Sequence, residues 1–371
     1  MIQADVVIIG AGMAGASLAA EVAPHASVLL LEMEGQPGFH ATGRSVAFWS
    51  ESYGGPAIQP LTTASGPLLR TPDPAFSSEP FLHERGAIHI GTASSAEAFS
   101  GFENAFSASG IELIRLDRDV LEGRIGGLRS EWTQGIAEPS TTDIDVAALL
   151  AAYMRAARKA GAELVSNRKL LSARRDGDGW RIETSQGSVA AGVLVNAAGA
   201  WADDVARACG VAPVRIQPLR RTVLQLRIDP SVSPELPLII DIEGRFYFKG
   251  EGSGRLWLSP HDETPSAPCD AAPEELAVAE AIARFEEVVD WKIEVVERKW
   301  AGLRSFAPDR LPVYGFDPLA RGFFWFAGQG GFGIQTAPAA AKLAAALLLN
   351  IKPDTRVAHL DPATYDPGRF E

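Results

Sequence analysis

Two short hydrophobic runs near the start of the chain enclose a stretch of glycines and small residues. Residues 6–9 are apolar and mostly β-branched, without polar alternation, which is typical of a strand buried on both faces of a parallel sheet. The segment GAGMAG follows at residues 10–15, and small residues continue to about residue 23, a pattern that predicts a strand-to-helix turn. Residues 28–31 predict the next buried strand, which Glu32 closes.

The glycine spacing fits the G-x-G-x-x-G pattern of a dinucleotide site, with an acidic residue about 20 positions further on. Gly10 permits the tight turn, Gly12 lets the backbone approach a pyrophosphate, and Gly15 lets the helix pack closely on the strand. The helix N-terminus offers free N–H groups and the positive end of its dipole to the phosphates. Glu32 can accept both ribose hydroxyls of an adenosine and would repel a 2′-phosphate. The pattern therefore predicts a nucleotide site.

Two later segments, residues 193–206 and 322–348, repeat the order of buried strand, glycine turn and helix. The nucleotide fold would therefore use the middle and both ends of the chain. Such a fold suits the long, extended FAD better than NAD, whose domain is usually one contiguous block.

Other parts of the chain have the pattern of a second sheet covered by helices. Residues 220–228, 245–250 and 254–259 predict strands joined by Gly and Pro turns. Residues 273–289 predict an amphipathic helix with Pro near its first turn, and residues 143–165 predict an Asp-capped helix that leads into a strand.

Composition and charge narrow the classes of partner. The 371 residues are enough for two domains, and the net charge of −12 argues against nucleic acid or an anionic membrane as the main partner. The two cysteines give neither a disulfide framework nor a metal-finger spacing, and the histidines show no metal spacing, so no metal is expected. No apolar run reaches the length of a transmembrane segment, and no signal peptide is apparent. A cytoplasmic location is the expectation.

Five segments combine glycines with polar residues in a distinctive way. They are the glycine pattern with Glu32, ATGRS at 41–45, VNAAGAW at 195–201, WAGLRSFAPD at 300–309 and GQGGFGIQTAPA at 328–339. With them, essentially the whole chain resembles the D-amino-acid oxidase superfamily of FAD-dependent amine oxidoreductases, which includes glycine oxidase, sarcosine oxidase and D-amino-acid dehydrogenases. The segments GFHATGRS, FYFK and AGLRSF resemble bacterial D-arginine dehydrogenase most.

The resemblance implies an α/β fold. A Rossmann-like FAD-binding domain of the glutathione-reductase type would be discontinuous, over residues 1–85, 140–215 and 300–371. An inserted α+β substrate domain, built on an antiparallel sheet, would take residues 86–139 and 216–299. The FAD is expected to be non-covalent, because the segment around AGLR lacks the cysteine to which sarcosine oxidases attach their flavin.

The resemblance also assigns residues to the reaction. Arg304 matches the position that binds the substrate carboxylate, and Arg221 matches a second substrate-facing arginine; a guanidinium fork suits a carboxylate because it donates two parallel hydrogen bonds. Tyr53 and Tyr247 match tyrosines that hydrogen-bond the substrate's amine and carboxylate. The loop that carries Tyr53 contains Gly and Pro, as a mobile lid would. Gly331 belongs to the turn that brings backbone close to the flavin and the substrate amine.

The remaining expected contacts involve the cofactor. The helix from about Thr336 would point its N-terminus at the flavin and stabilise negative charge there, and the strand near residues 167–171 would present backbone to the adenine. The expected cofactor-binding residues are Gly10, Gly12, Met13, Ala14, Gly15, Glu32, Met33, Thr42, Gly43, Arg44, Ser45, Gly199, Gly330, Phe332, Gly333 and Ile334.

Substrate specificity is inferred from positions that differ from D-arginine dehydrogenase. In that enzyme a glutamate meets the substrate guanidinium, and an ungapped alignment places Ala87 there. Without that acid a cationic side chain would be buried unpaired, so a neutral or hydrophobic side chain is expected. Glu84 or Asp241 would supply the acid under a shifted alignment. The expected pocket residues are Phe48, Ala87, Leu238 and Ile240.

The predicted reaction is oxidative deamination of D-amino acids. A hydride would pass from Cα to flavin N5, and the resulting imino acid would hydrolyse to a 2-oxo acid and ammonia. The electrons would then pass to a quinone or to O2. The alternatives are a secondary-amine oxidase of the glycine or sarcosine type and an FAD-dependent 2-hydroxy-acid dehydrogenase. A non-catalytic FAD-binding subunit is the alternative from a different class.

Overall fold

The computed structural model describes residues 2–252 and 254–370. Their strands, in chain order, are β1 (Ile2–Ile9), β2 (Val28–Leu31), β3 (Phe48–Trp49), β4 (Leu82–Glu84), β5 (Ala87–Thr92), β6 (Ile114–Leu116), β7 (Trp132–Glu138), β8 (Thr142–Ile144), β9 (Glu163–Val165), β10 (Leu170–Asp176), β11 (Gly179–Thr184), β12 (Gly187–Asn196), β13 (Gln217–Asp229), β14 (Leu238–Asp241), β15 (Tyr247–Glu251), β16 (Arg255–Ser259), β17 (Thr264–Pro265), β18 (Lys292–Phe306), β19 (Val313–Phe316), β20 (Phe323–Ala327) and β21 (Gln329–Gly330). Their α-helices are α1 (Met13–Val22), α2 (Gln59–Arg70), α3 (Ala96–Phe106), α4 (Arg118–Ile125), α5 (Val146–Lys159), α6 (Ala202–Ala208), α7 (Glu275–Glu286) and α8 (Ala337–Leu349).

The first sheet contains the predicted nucleotide fold. Its parallel centre has the order β9–β2–β1–β12–β20, and β10, β11 and β19 extend it with antiparallel pairs. Val6 and Ile8 on β1 pack against α1, α5 and α8, while Val7 and Ile9 pack towards α6. Both faces of β1 are therefore buried, which is why its sequence lacks polar alternation.

The glycines after β1 are required by close approaches of the backbone. Gly10 has φ of +101°, and a Cβ on it would lie 2.6 Å from the carbonyl oxygen of Ala197. A Cβ on Gly15 would lie 1.9 Å from the carbonyl oxygen of Gly10. The chain can therefore turn directly from β1 into α1 only because these positions lack side chains.

The second sheet has ten strands among the described residues, and its main path runs β21–β18–β13–β16–β15–β14–β5–β7–β6. Its pairs are antiparallel except for the parallel pair of β14 with β5. Phe246 and Phe248 are buried beneath α7. Tyr247, which lies between them in sequence, faces the other side of the sheet. The strands predicted at 220–228, 245–250 and 254–259 are present, with somewhat different ends.

The two longest strands, β13 and β18, belong to the second sheet, and a predicted domain boundary falls inside one of them. β13 and β18 pair along nearly their whole length, and the predicted domain boundary between residues 299 and 300 falls inside β18. The division into two domains at the predicted limits stays a prediction.

One of the predicted helices, α5, begins at a side-chain cap, as its sequence indicates. Asp145 caps α5 by accepting a hydrogen bond of 2.8 Å from the backbone N–H of Ala148. The helix expected over 273–289 is shorter, at Glu275–Glu286, and α8 begins directly after Thr336 as expected. Within 2–252 and 254–370, no helix combines the length and the apolar character needed to cross a bilayer.

Candidate active site

A cavity of about 480 Å³ lies between the glycine turn of the first sheet and the free face of the second. Its volume falls in the range of sites that take cofactors and small ligands. It is lined by Gly10, Gly12, Met13, Ala14, Glu32, Met33, Thr42, Arg44, Ser45, Gly199, Arg221, Tyr247, Arg304, Gly330, Gly331, Gly333 and Ile334, all of them predicted site residues, and by further residues around them.

The nucleotide end of the cavity is built on the start of α1. The N–H of Met13 donates to Thr42 Oγ1 at 3.0 Å. The N–H groups of Gly12 and Ala14 donate to no residue that the structure describes. These groups point out from the N-terminus of a ten-residue helix, so they are placed to donate to a phosphate.

Glu32 is buried at the end of β2 and is held by backbone. Its two carboxylate oxygens accept hydrogen bonds from the N–H groups of Ala11, at 2.8 Å, and Glu34, at 2.9 Å. Glu32 lines the cavity, and its carboxylate oxygens keep lone pairs that can accept hydrogen bonds from ribose hydroxyls. Arg168, Lys169, Leu170 and Leu171 line the same end, in the segment expected to meet the adenine.

FAD fits these residues at the points where its pyrophosphate and ribose would lie. The unpaired N–H donors of the glycine turn suit a pyrophosphate, and Glu32 suits a ribose. A Cβ on Gly12 would lie 3.3 Å from Thr42 Oγ1, so a side chain there would narrow the cradle. No group of His, Cys, Asp and Glu side chains suited to a metal ion occurs in the described part of the chain.

Three predicted cofactor contacts take a different place. Gly15 and Gly43 lie against backbone, since a Cβ on each would collide with the carbonyl oxygens of Gly10 and Gly38 respectively. Phe332 packs with Phe306 and Ile58 instead of lining the cavity. None of these three residues lines the cavity; they pack against neighbouring segments instead.

Arg44 lines the cavity but its guanidinium is engaged elsewhere. It donates to the carbonyl oxygens of Ala271, at 3.0 Å, and Ala301, at 3.2 Å, and it pairs with Asp270. The indole N–H of Trp300 in turn donates to the Arg44 carbonyl oxygen at 3.0 Å. Arg44 therefore fastens the segment after the glycine turn to the second sheet.

The two predicted arginines share one face of the second sheet. In the β13–β18 register, Arg221 lies opposite Gly302 and Leu219 lies opposite Arg304. Arg221 and Arg304 are thus diagonal neighbours on the cavity side. Arg220, next to Arg221 in sequence, pairs with Glu274 on the other side.

Arg304 is joined to Tyr53. Its Nη1 donates to the tyrosine hydroxyl at 2.6 Å, and the guanidinium lies 5.8 Å from the centre of the tyrosine ring. A Cβ on Gly331 would lie 2.4 Å from that hydroxyl and 3.1 Å from Arg304 Nη1. The glycine therefore leaves room for the arginine–tyrosine pair.

Arg221 is buried with one donor unused. Its Nε donates to the Asp262 carbonyl oxygen at 2.8 Å and its Nη2 to Glu263 at 3.3 Å. Its Nη1 is buried without a hydrogen-bond partner among the described residues. Burial, together with the charge of Arg304, lowers the pKa of Arg221 to about 10. An anion in the cavity would give Nη1 an acceptor and would raise the pKa of Arg221 again.

Tyr247 and His261 complete this end of the cavity. Tyr247 is 3% exposed, and its ring meets the imidazole of His261 edge-on at 5.7 Å. His261 Nδ1 lies 2.6 Å from the Gly244 carbonyl oxygen, which fixes this nitrogen as the protonated donor. Burial, and then the charges of Arg221 and Arg304, lower the pKa of His261 to about 3, so the imidazole is neutral near pH 7.

Sequence reasoning does not identify His261 and Asp262. Asp262 accepts hydrogen bonds from the N–H of Thr222, at 2.7 Å, and from its hydroxyl, at 2.8 Å, and so fixes the strand beside Arg221. Both lie in the connection after β16, where the sequence HDET carries no recognisable motif. The one usable signal is the concentration of polar residues directly after a buried strand.

The four residues expected to form the substrate pocket lie behind Tyr247. Phe48, Ala87 and Leu238 are buried in one apolar cluster with it, and Ile240 packs against that cluster. None of them lines the cavity. They support the tyrosine in this arrangement, so their contact with a substrate stays a prediction.

Glu84 and Asp241, which a shifted alignment matches to the glutamate of D-arginine dehydrogenase, do not line the cavity either. Glu84 is exposed, and Asp241 binds Arg245 at 2.6 Å.

The loop that carries Tyr53 is held more firmly than its glycines predict. The side-chain amide of Gln335 donates to the Tyr53 carbonyl oxygen at 3.1 Å and to Thr62 at 2.9 Å. The N–H of Ser50 donates back to the Gln335 amide oxygen at 3.1 Å. The sequence predicts a mobile lid, whereas the structure ties this loop down with buried hydrogen bonds.

Known proteins resemble this chain over nearly its whole length. A family model described as FAD dependent oxidoreductase matches residues 5–347. Human mitochondrial dimethylglycine dehydrogenase is 26% identical over 392 residues, which cover 98% of this chain and 44% of the relative. Glycine oxidase of Geobacillus kaustophilus is 26% identical over 368 residues, covering 93% of this chain and 92% of the relative. The chain thus spans less than half the length of dimethylglycine dehydrogenase.

Solved structures have the same fold. Glycine oxidase from Geobacillus kaustophilus superposes with a TM-score of 0.84 at 23% identity, over 99% of this chain and 98% of that one. L-proline dehydrogenase from P. horikoshii also gives 0.84, at 19% identity, over 100% and 98%. The predicted α/β fold class is confirmed, while the particular resemblance to D-arginine dehydrogenase stays a prediction. Because the family model spans nearly the whole chain, the protein belongs to the family of FAD dependent oxidoreductases, and FAD is the cofactor implied for this cavity.

Proposed function

We propose that the protein oxidises the C–N bond of a small amine that carries a carboxylate, of the glycine or N-methylglycine type. The observation that carries this proposal is that Arg304, Arg221 and Tyr247 line one end of the cavity, with Tyr53 hydrogen-bonded to Arg304. A filled apolar cluster lies behind Tyr247.

The charge of this cluster supports a carboxylate as one end of the substrate. Arg221 and Arg304 bring two positive charges to a buried surface, and one donor of Arg221 has no partner within residues 2–252 and 254–370. A carboxylate would accept charge-assisted hydrogen bonds from the guanidinium groups and from the tyrosine hydroxyls. Asp262 and Glu263 lie behind Arg221 and neutralise part of its charge, so the site suits a single anionic group.

The packing behind the cluster supports a small substrate. A bulky side chain on the substrate would need space beside Tyr247, where Phe48, Leu238 and Ala87 already fill the interior. Opening that space would break apolar contacts that stabilise the sheet. Glycine and N-methylglycine need no such space.

The comparisons support an amine rather than a hydroxyl as the oxidised group. The relatives at 26% identity are named glycine oxidase and dimethylglycine dehydrogenase, and both names denote amines that carry a carboxylate. This support is independent of the arginines, which would bind a 2-hydroxy acid equally well.

The residues of the site would supply orientation and charge. Bound FAD would supply the hydride acceptor. Oxidation removes a hydride from the substrate carbon and a proton from its nitrogen, and water hydrolyses the resulting C=N bond. Arg304 and Tyr53 would fix the carboxylate, which directs the adjacent carbon towards the glycine turn at Gly331. His261 stays neutral and would hold Tyr247 by ring contact.

Oxidation of D-amino acids with small neutral side chains is the second candidate. The same carboxylate clamp would serve it, and the apolar residues behind Tyr247 exclude a charged side chain better than a methyl group. D-alanine is therefore the D-amino acid expected to react best.

The test is turnover with an artificial electron acceptor. Purified protein loaded with FAD is assayed with glycine, N-methylglycine, N,N-dimethylglycine, D-alanine, D-leucine, D-arginine and D-lactate, and the products are identified. The proposal predicts glyoxylate, or an aldehyde released by N-demethylation, from the glycine series. Turnover of D-leucine or D-arginine alone would return the assignment to larger D-amino acids, and turnover of D-lactate alone would indicate a hydroxy-acid dehydrogenase. No turnover of any compound would favour a non-catalytic FAD-binding subunit.

A further inference from the structure

Glu138 is a buried carboxylate that the proposed reaction does not use. It ends β7, is 0% exposed, and lies opposite Ala87 on β5. No Lys or Arg pairs with it in the described residues, and the imidazole Nε2 of His89 lies 3.8 Å away, too far for a hydrogen bond. Burial of a carboxylate without a strong ion pair is unfavourable unless other donors satisfy it.

The donors that satisfy Glu138 come from the loop that carries Tyr53. Its Oε1 accepts from the N–H of Glu51 at 2.8 Å, and its Oε2 accepts from the hydroxyl of Ser50 at 3.1 Å. The hydroxyl of Ser52 also donates to Oε2. The three residues directly before Tyr53 are therefore fixed to the second sheet through one side chain.

All of these partners donate to Glu138, so the site suits a group that only accepts, as an ionised carboxylate does. Burial opposes ionisation of Glu138, but the neighbouring His89 imidazole and the hydroxyls of Ser52 and Ser50 hold its pKa below the ordinary value. An amide in its place would keep one acceptor oxygen but turn its NH2 group either towards the N–H of Glu51, which can only donate, or towards the two serine hydroxyls, which would have to rotate in order to accept.

The same loop is held from the opposite side by Gln335, at the turn before α8. Tyr53 thus follows a segment that is held from two sides, and the positive-φ glycines Gly54 and Gly55 come only after it. The tyrosine hydroxyl then meets Arg304.

We propose that Glu138 is a positioning residue that holds the Ser50–Ser52 segment so that Tyr53 presents its hydroxyl to Arg304 and to the substrate carboxylate. The inference rests on the proposed function only in taking this pair as the carboxylate site. It predicts that loss of the Glu138 charge weakens carboxylate binding through Tyr53, without weakening FAD binding, because Glu138 does not line the FAD cavity.

The test measures acetate binding to the FAD-loaded protein from the change in the flavin absorption spectrum. Acetate carries the carboxylate but has no amine, so the measurement needs no turnover. We expect Glu138→Gln and Tyr53→Phe each to raise the acetate Kd about tenfold, the size of one lost charge-assisted hydrogen bond. We expect Glu138→Gln to add less than about twofold in the Tyr53→Phe background, because both changes remove the same contact.

The matched control is Asp317→Asn. Asp317 also accepts hydrogen bonds from backbone N–H groups of a loop, those of Leu319 and Ala320, and none of these residues lines the cavity. Its acetate Kd should equal that of the wild type. Ser52→Ala, which removes a single donor to Glu138, is the second variant should Glu138→Gln fail to fold, and it should raise the Kd by a smaller factor.

Two results would overturn the inference. One is an unchanged acetate Kd in Glu138→Gln and Ser52→Ala; the other is a full additional effect of Glu138→Gln in the Tyr53→Phe background. Wild-type protein that binds no acetate would overturn the carboxylate site and this inference with it. Protein that binds acetate with the expected pattern, yet oxidises none of the amines, would leave Glu138 in its role and reject the proposed function instead.

Discussion

Arg304 and Tyr53 lie 251 positions apart in sequence, and the structure joins them by a hydrogen bond of 2.6 Å. Arg304 sits on a long, regular strand, so its position follows from the register of β18 with β13. Tyr53 sits on a short loop, so its position depends on the side chains that tie that loop down. The precision of the candidate carboxylate site is thus set by individual residues outside it.

Replacing Arg304 by Lys tests the carboxylate site at the scale of one side chain. The charge remains but the planar fork is lost, so we expect KM for N-methylglycine to rise about 10- to 100-fold. Steady-state kinetics with an artificial acceptor measure this, and the FAD content should be unchanged.

Arg220→Lys is the control for this change, because Arg220 pairs with Glu274 on the other side of the sheet. A KM that rises equally in both variants, or in neither, would contradict the assignment of Arg304.

The neutral imidazole of His261 predicts a pH dependence of stability. Its folded pKa, about 3, is below the ordinary value of 6.5, so the unfolded chain takes up a proton first on acidification. Stability from this group is complete above pH 6.5 and is lost as the pH falls towards 3. The loss between pH 7 and pH 5 is about 2 kcal/mol.

His261→Asn should remove this loss, and asparagine tolerates the positive φ of 56° at this position. Urea denaturation at pH 7 and pH 5 compares the variant with the wild type. Equal loss of unfolding free energy in the two proteins would show that His261 does not titrate in this way.

At the scale of elements, the strand–turn–helix of β1 and α1 shows what a sequence predicts well. The required chemistry is local there: consecutive residues form the strand, the turn and the helix, and glycine is the only residue that fits the turn. The same holds for α8, whose start after Thr336 follows from the glycines before it.

The Tyr53 loop shows what a sequence predicts poorly. Its glycines indicate freedom, but its order comes from Glu138 and Gln335, which are 85 and 282 positions away from Tyr53 in sequence. Glu138 belongs to no motif, and the segment that contains Gln335 gives no sign of its contact with this loop. The role of the predicted pocket residues is hard to read from the sequence for the same reason. Whether Ala87 or Leu238 faces a substrate depends on which tyrosine covers them, and that depends on the tertiary arrangement.

Gly15→Ala tests the β1–α1 turn. The new Cβ would lie 1.9 Å from the Gly10 carbonyl oxygen, so the helix must move away from the strand. We expect a stability loss of more than about 2 kcal/mol and loss of most bound FAD, measured from thermal unfolding and the flavin-to-protein absorbance ratio.

Gly101→Ala in α3 is the matched control, because a Cβ there meets nothing within 4 Å. That change should be neutral or stabilise by about 0.5–1 kcal/mol, since alanine favours a helix. Normal FAD content in Gly15→Ala would refute the close-packing role of this glycine.

At the scale of the whole molecule, the cavity is formed by both sheets, so its ligand joins them. A ligand that binds only the folded state stabilises it by mass action, about 2.7 kcal/mol at a concentration of 100 times Kd. Removing FAD should therefore lower the Tm, and adding it back should restore the Tm. NAD should have no such effect, and a rise in Tm with NAD alone would contradict the assignment of the cavity.

The fold class was predictable from the sequence because strands, helices and glycine turns leave local patterns. The substrate class was harder to predict, because the candidate site combines side chains from β13, β15, β18 and the Tyr53 loop, which are distant in sequence. The sequence predicts D-amino acids with neutral or hydrophobic side chains, whereas the proposal of a smaller amine is supported by the filled cluster behind Tyr247 and by the names of the relatives.

The most direct test of the central claim is anaerobic reduction of the bound flavin by N-methylglycine and by its methyl ester. The ester keeps the amine and the C–H bond but lacks the carboxylate charge. Rapid bleaching of the flavin by N-methylglycine, with the ester at least about tenfold slower, is the predicted result. Equal rates for the two compounds, or bleaching by neither, would contradict an amine oxidoreductase that holds its substrate by the carboxylate.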